Sequence, residues 1–171
     1  MTKIYTKTGD RGTTGTFHGR MDKSDQLAEA LGAIDELNSW VGMCRSQIQN
    51  SNNKFTNQIQ IELKKIQNNL LIIGSQLAGG GLEISRVEIR NLERLIDKLT
   101  KELPKLANFI YPVGQLQVAR AVCRRAEREV VAAEIKDKNV LKYLNRLSDA
   151  LFTMGRWVNF KVGLEEEVWR G

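Results

Sequence analysis

The chain has 171 residues, 42% hydrophobic and 27% charged, and a formal net charge of +6. That length suggests one domain with enough chain for a real core, and the composition is ordinary for a soluble globular protein. No apolar run approaches the roughly 20 residues that span a bilayer, and the single histidine and two distant cysteines exclude a paired Glu-x-x-His di-iron site and a zinc site.

The first residues carry no apolar core of a signal peptide, so the expected location is the cytoplasm. Cys44 and Cys123 lie in helical patterns and are read as reduced thiols. The positive charge permits a nucleic-acid partner, but equally a polyphosphate.

The first stretch with chemistry in it is Thr6-Lys7-Thr8-Gly9-Asp10-Arg11-Gly12-Thr13-Thr14-Gly15. Its glycines admit left-handed backbone and close approach of a ligand to the main chain. Bare N–H groups in such a turn form an anion nest. The threonine hydroxyls and Lys7 supply the donors that a polyphosphate needs. It is neither a Walker A loop nor a Rossmann turn, because the spacing and the βαβ context are missing. The plain alternative is a flexible arm. Gly19 to Asp25 is a polar turn, in which Arg20 and Lys23 either extend the anion site or are solvated charge.

Five helical patterns come next. The first runs from about Asp25 to Gln49, with Leu27, Leu31, Ile34, Val41 and Ile48 on one face and Asn38 inside the stripe. Asn38 is expected to bond to a neighbouring helix, since a buried amide needs partners. Residues 50–55 are a polar connector. The second pattern, about Thr56 to Leu77, has the four-three-four-three-four seam of a bundle and stops at Gly79-Gly80-Gly81. Ser85-Arg86-Val87-Glu88 fits a capping box opening the third, which ends before Pro104. Asn108 to Gly114 is non-helical, and its aromatics either pack or wall a pocket.

The fourth, about Gln115 to Ile135, has an apolar face of Ala119, Val122, Ala126, Val130 and Ala133, and a stripe of Arg120, Arg124, Glu127 and Arg128. Guanidinium groups on one stripe repel unless an anion faces them. The stripe is either a salt-bridged surface or a phosphate clamp. The fifth, about Asp137 to Lys161, repeats the seam and carries Asn145, Asp149, Phe152 and Arg156 on a second face, expected to meet a subunit or a ligand. No clear strands are expected. The fold reading is an all-α five-helix bundle with an irregular N-terminal arm, one domain over residues 1–171, with arm 1–24, helices 25–161 and tail 162–171.

Four motifs in order resemble one family: the arm; Gly32-Ala33-Ile34-Asp35-Glu36-Leu37-Asn38; Cys123-Arg124-Arg125-Ala126-Glu127-Arg128; and Tyr143-Leu144-Asn145-Arg146-Leu147-Ser148-Asp149. The chain resembles the PduO-type ATP:corrinoid adenosyltransferases over almost its whole length. The lead-in Pro112-Val113-Gly114-Gln115 is shorter than the family pattern. The resemblance implies a homotrimer with active sites between subunits, and transfer of the 5′-deoxyadenosyl group of ATP to the cobalt of cob(I)alamin with release of triphosphate. It implies ATP contacts from Thr6, Lys7, Thr8, Gly9, Asp10, Thr14, Gly15 and Lys23, completed by Arg124, Arg125, Glu127, Arg128 and Asn145 of a neighbouring subunit. Asp35 and Arg120 match a salt-bridged pair serving the corrin, with Asn145 beside it, and Phe109 matches an aromatic closing the corrin's lower face. Asp35, Arg120 and Arg124 are the residues expected to matter most for turnover.

Such a reaction demands positioning and stabilisation of departing charge. Lys7, Lys23, Arg124 and Arg128 suit that demand, with Mg²⁺ bridging phosphates and no metal site of the protein's own. A corrinoid reductase is an expected partner; nucleic acid and membrane are not. The alternatives are a non-catalytic ATP- or corrinoid-binding regulator or carrier on the same scaffold and a basic nucleic-acid binder, the second disfavoured because acidic residues share the arginine stripe.

Overall fold

The computed structural model describes residues 3–49 and 56–170; the polar connector expected at 50–55 lies outside the described residues. Among the described residues two short strands, β1 (Thr13–Thr16) and β2 (Gly19–Asp22), precede five helices: α1 (Gln26–Gln49), α2 (Thr56–Leu77), α3 (Arg86–Thr100), α4 (Gln115–Ala132) and α5 (Lys138–Lys161). The strands correct the expectation of a strandless arm. They pair antiparallel with Thr13 opposite Asp22 and Thr16 opposite Gly19, so Phe17 and His18 form the tip. The β-branched threonines favour extended backbone, and Gly19 takes φ +125° to complete the return.

The seams account for the helices. In α2, Ile59, Leu63, Ile66, Leu70, Ile73 and Leu77 are all buried. In α5, Val140, Leu144, Leu147, Leu151 and Met154 are buried. Each such side chain contributes about 1.5–3 kcal/mol by leaving water. In α1 the apolar face is rotated from the expected one. Ala30, Ala33, Ile34, Leu37, Val41 and Cys44 are buried, while Leu27, Leu31 and Ile48 only flank the core. The small residues, weak in periodic signal, are what turn the helix. Asn38 thus sits at the edge of the buried face. Its Oδ1 is buried and accepts no hydrogen bond, and only its backbone carbonyl takes the Gln67 amide, at 3.4 Å.

Helix ends differ in two places. Ser85 caps α3 with its backbone conformation alone; the Glu88 carboxylate turns away to accept from buried Asn69 at 3.1 Å, so no capping box forms. Helix α4 stops three residues before Ile135. Glu134 adopts φ +53°, its N–H donates to Val131 O, and the Ile135 N–H reaches back to Val130 O. These are the two bonds of a Schellman ending.

Cross-helix bonds set the directions. Gln26 donates to Glu129 at 2.8 Å and Arg125 pairs with Glu36, so α1 and α4 run antiparallel. Gln60 donates to the Arg45 carbonyl, which with Gln67 and Asn38 makes α1 and α2 antiparallel too. Arg146–Glu93 and Trp157–Glu102 advance together, so α3 and α5 are parallel. One end of the bundle therefore gathers the start of α1, the end of α2 and the start of α5, tied by Gln76 donating to Asp137 at 2.5 Å. The opposite end gathers the end of α5, the segment before α4 and the tail.

Candidate functional site

The N-terminal arm is a built turn rather than a loose strap. Lys7 has φ +60°, a left-handed conformation that costs an L-residue roughly 1–2 kcal/mol and marks a position held for a purpose. The Asp10 and Gly12 N–H groups close the turn onto the carbonyls of Lys7 and Gly9. Among the described residues, the N–H groups of Gly9 and Arg11 have no partner, as an anion nest requires. The hydroxyls of Thr6 and Thr8 meet at 2.9 Å. The Lys23 side chain lies along the turn: a Cβ on Gly9 would sit 3.4 Å from Lys23 Nζ.

Arg20 is not an anion donor here. Its Nη2 donates to Thr8 O at 2.6 Å and Thr13 O at 2.9 Å, and its Nε to Thr13 Oγ1 at 3.0 Å. The guanidinium staples the arm to the hairpin. The hairpin in turn docks on α2. Phe17 N–H donates to Ala78 O at 3.0 Å, and His18 and Phe17 lie over Gly79 and Gly80. The glycine run expected only to stop a helix is therefore also the floor under the arm.

On α4, Arg124 and Arg128 are exposed, and Arg128 donates only to the Arg124 carbonyl, at 3.2 Å. Arg125, expected with them, turns to Glu36 on α1. Arg120 donates from Nε to Gln117 Oε1 at 2.8 Å, and Gln117 passes a bond to the Phe152 carbonyl. Asp35 is exposed, and the ion pairs of the described residues do not join it to Arg120. The reason is geometric. Glu36 lies level with Arg125, so Arg120 is displaced five residues, about 7.5 Å, along α4. Asn145 and Asp149 are exposed on α5, with Asp149 taking Arg146 at 3.2 Å.

At the other end, Phe109 is 80% exposed and meets Trp169 edge to face, ring centroids 6.4 Å apart. The tail pairs with this segment. Tyr111 N–H donates to Glu167 O at 3.0 Å and Trp169 N–H to Phe109 O at 2.9 Å. Between them opens a cleft of about 930 Å³ lined by Leu106, Phe109, Val168 and Trp169. Arg156, expected on a ligand-facing or subunit-facing surface, is instead 5% exposed and bonded to Glu166 of the tail and to the Pro104 carbonyl. The glutamate run and Trp169 have no role legible in the sequence; only the pairing of the tail supplies one.

Within one chain, then, the arm and the Phe109 cleft stay apart. They lie at opposite ends of α5, whose 24 residues span about 36 Å.

A sequence model of the family described as cobalamin adenosyltransferase matches residues 4–158. The chain is 41% identical to the corrinoid adenosyltransferase MMAB of Homo sapiens, covering 98% of this chain and 73% of that protein. It is 40% identical to the corrinoid adenosyltransferase of Bacillus subtilis (strain 168), covering 95% and 89%. Among solved structures, a variant of the PduO-type ATP:corrinoid adenosyltransferase from Lactobacillus reuteri complexed with cobalamin and ATP superposes with a TM-score of 0.90 at 34% identity, covering 99% of this chain and 97% of that one.

Proposed function

This chain belongs to the cobalamin adenosyltransferase family, and we infer that it transfers the 5′-deoxyadenosyl group of ATP to the cobalt of a corrinoid, releasing triphosphate. The observation that carries the reading is the arm: a left-handed Lys7, two unpartnered N–H groups and Lys23 converge on one turn, in a chain that matches the family from residue 4 onward. None of the matched relatives favours the non-catalytic carrier.

The reaction needs no protein nucleophile. The reduced cobalt of the substrate gives an electron pair to C5′, the C5′–O bond breaks, and that bond's pair leaves with triphosphate while cobalt is formally oxidised from +1 to +3. The protein's work is to orient C5′ and to meet the charge building on the leaving group. Thr6, Lys7, Thr8, Gly9, Asp10, Thr14, Gly15 and Lys23 cradle the phosphates from one protomer. Arg124 and Arg128, exposed and without a carboxylate partner among the described residues, meet the same phosphates from the next, with Glu127 and Asn145 beside them. Arg125 acts one step back, through Glu36.

Mg²⁺ travels with the phosphates, which supply most of its ligands. Among the described residues no three His, Cys, Asp or Glu side chains gather around a metal. Asp10, a carboxylate of the arm, would hold the ion there, where it would neutralise charge on the phosphates.

The assembly is a homotrimer with sites between subunits. Two features support it: the roughly 36 Å separating arm from cleft along α5, and the exposed Asp35, which is free to take Arg120 of a neighbouring protomer. Phe109 walls the lower face of the corrin and keeps water from the cobalt. A cytoplasmic setting with a separate reductase fits this reading; no described helix is long and apolar enough to cross a membrane.

The test is to incubate the protein with ATP, Mg²⁺ and chemically reduced cobalamin. Equimolar triphosphate and adenosylcobalamin are expected. Phosphate with no adenosylated product would overturn the reading.

A further inference from the structure

We propose that the pair of buried Arg156 and half-buried Glu166 is a positioning latch for the corrinoid cleft, setting the tail against residues 109–111 and so holding Phe109 in place. The proposal rests on the reading of Phe109 as a wall of that cleft.

Arg156 joins three separate parts of the chain. From α5 its Nε donates to Glu166 Oε1 at 2.5 Å and its Nη2 to Glu166 Oε2 at 3.1 Å; Nη2 also donates to the Pro104 carbonyl at 3.0 Å. A guanidinium engaging both carboxylate oxygens fixes direction as well as distance. Glu165 and Glu167 are exposed while Glu166 is half-buried, the alternation of extended chain. Glu166 is thus the turn-in point immediately before the residues that pair with the Phe109 segment.

The cleft's two walls depend on that turn-in. Glu167 and Trp169 make the two backbone bonds to Tyr111 and Phe109, with Ile110 opposite Val168. Phe109 is 80% exposed, so no core packing fixes its ring; the Trp169 edge and the backbone bond are what hold it. The cleft has one wall from Leu106 and Phe109 and the other from Val168 and Trp169. If the tail lifts, the cleft loses a wall and Phe109 loses its support. Among the described residues the tail bonds to Arg156, Tyr111 and Phe109 and to no residue of the arm, so ATP binding is expected to be unaffected.

Three full-length variants test this: Glu166→Gln, Trp169→Ala and Phe109→Ala. KM for cobalamin, KM for ATP and kcat are measured for each, with the spectrum of Co(II) cobalamin bound in the presence of ATP. Glu166→Gln and Trp169→Ala are expected to raise the cobalamin KM at least about fivefold, the factor matching about 1 kcal/mol of lost positioning, with the ATP KM within about twofold. Both should also move the Co(II) spectrum in the direction that Phe109→Ala moves it. Where Glu166→Gln fails to fold because Arg156 is left buried without a carboxylate, Glu166→Asp, which keeps the charge and shortens its reach, takes its place. A rise in both KM values together, or an unchanged cobalamin KM in the tail variants beside a raised one in Phe109→Ala, overturns the latch. An unchanged cobalamin KM in Phe109→Ala as well, in a protein that still adenosylates, overturns the wall reading with it.

Discussion

His18 sits directly on Gly79: a Cβ on that glycine would collide with the imidazole Nε2, and the glycine itself has φ +89°. The hairpin that carries the N-terminal arm therefore rests on a surface only glycine can make. Gly79→Ala is expected to cost about 1–2 kcal/mol in urea denaturation, from the left-handed backbone alone. Because the arm must also shift, the KM for ATP should rise several-fold while the cobalamin KM holds. An unaltered ATP KM would show that the arm reaches its nucleotide without this support.

Arg124 and its neighbour Arg125 should separate cleanly. Arg124 is exposed and its guanidinium pairs with no carboxylate among the described residues. Arg124→Ala should abolish transfer, a loss of at least about a hundredfold in kcat/KM, consistent with a charge-stabilising donor. Its melting temperature should match the parent, since surface changes of this kind stay within about 0.5 kcal/mol. Arg125→Ala should instead lose about 0.2–1 kcal/mol of stability with the partly exposed pair to Glu36. Retained activity in Arg124→Ala would remove the clamp.

For Asp35→Asn, impaired turnover with cobalamin and a near-normal ATP KM are expected, with no change in the stability of a dissociated chain. The carboxylate is exposed and has no ion-pair partner among the described residues, which leaves it open to a group outside its own chain. A large loss of ATP affinity in steady-state kinetics would place Asp35 at the wrong substrate.

The thiols should be silent. Burial pushes the Cys44 thiol up from 9.0 to about 11, and pushes Cys123 higher still. Their contribution to stability is intact below about pH 9 and is lost as pH rises from there through the folded-state values. Iodoacetamide at pH 8 is expected to leave both unmodified in the native protein and to label both after unfolding, read by mass spectrometry. Rapid native labelling would show that α1 or α4 opens locally.

The helices are legible in the sequence because each carries its own evidence. The seam Ile59–Leu63–Ile66–Leu70–Ile73–Leu77 repeats at the spacing of one helix face, and all six side chains are buried. Seam residues leave water whichever neighbour covers them, so local periodicity suffices to find them. The arm is legible for the same local reason, as glycines and hydroxyl donors crowded into one turn. The rotated face of α1 is harder to read, because alanine and cysteine carry little periodic signal yet are what let α4 and α2 come close.

Partners distant along the chain emerge only on folding. Nothing near Arg156 says that its charge belongs to Glu166 and Pro104, nor does Gly79 announce His18 above it. Arg20 reads as either a phosphate donor or solvated charge until the hairpin brings Thr8 and Thr13 to it. The order of residues dictates which surfaces leave water, since hydrophobic burial is non-directional and additive along a helix. Which charges are spent internally and which are left for a ligand is settled by the three-dimensional arrangement, because a hydrogen bond is made only where two groups meet at about 3 Å in the right direction.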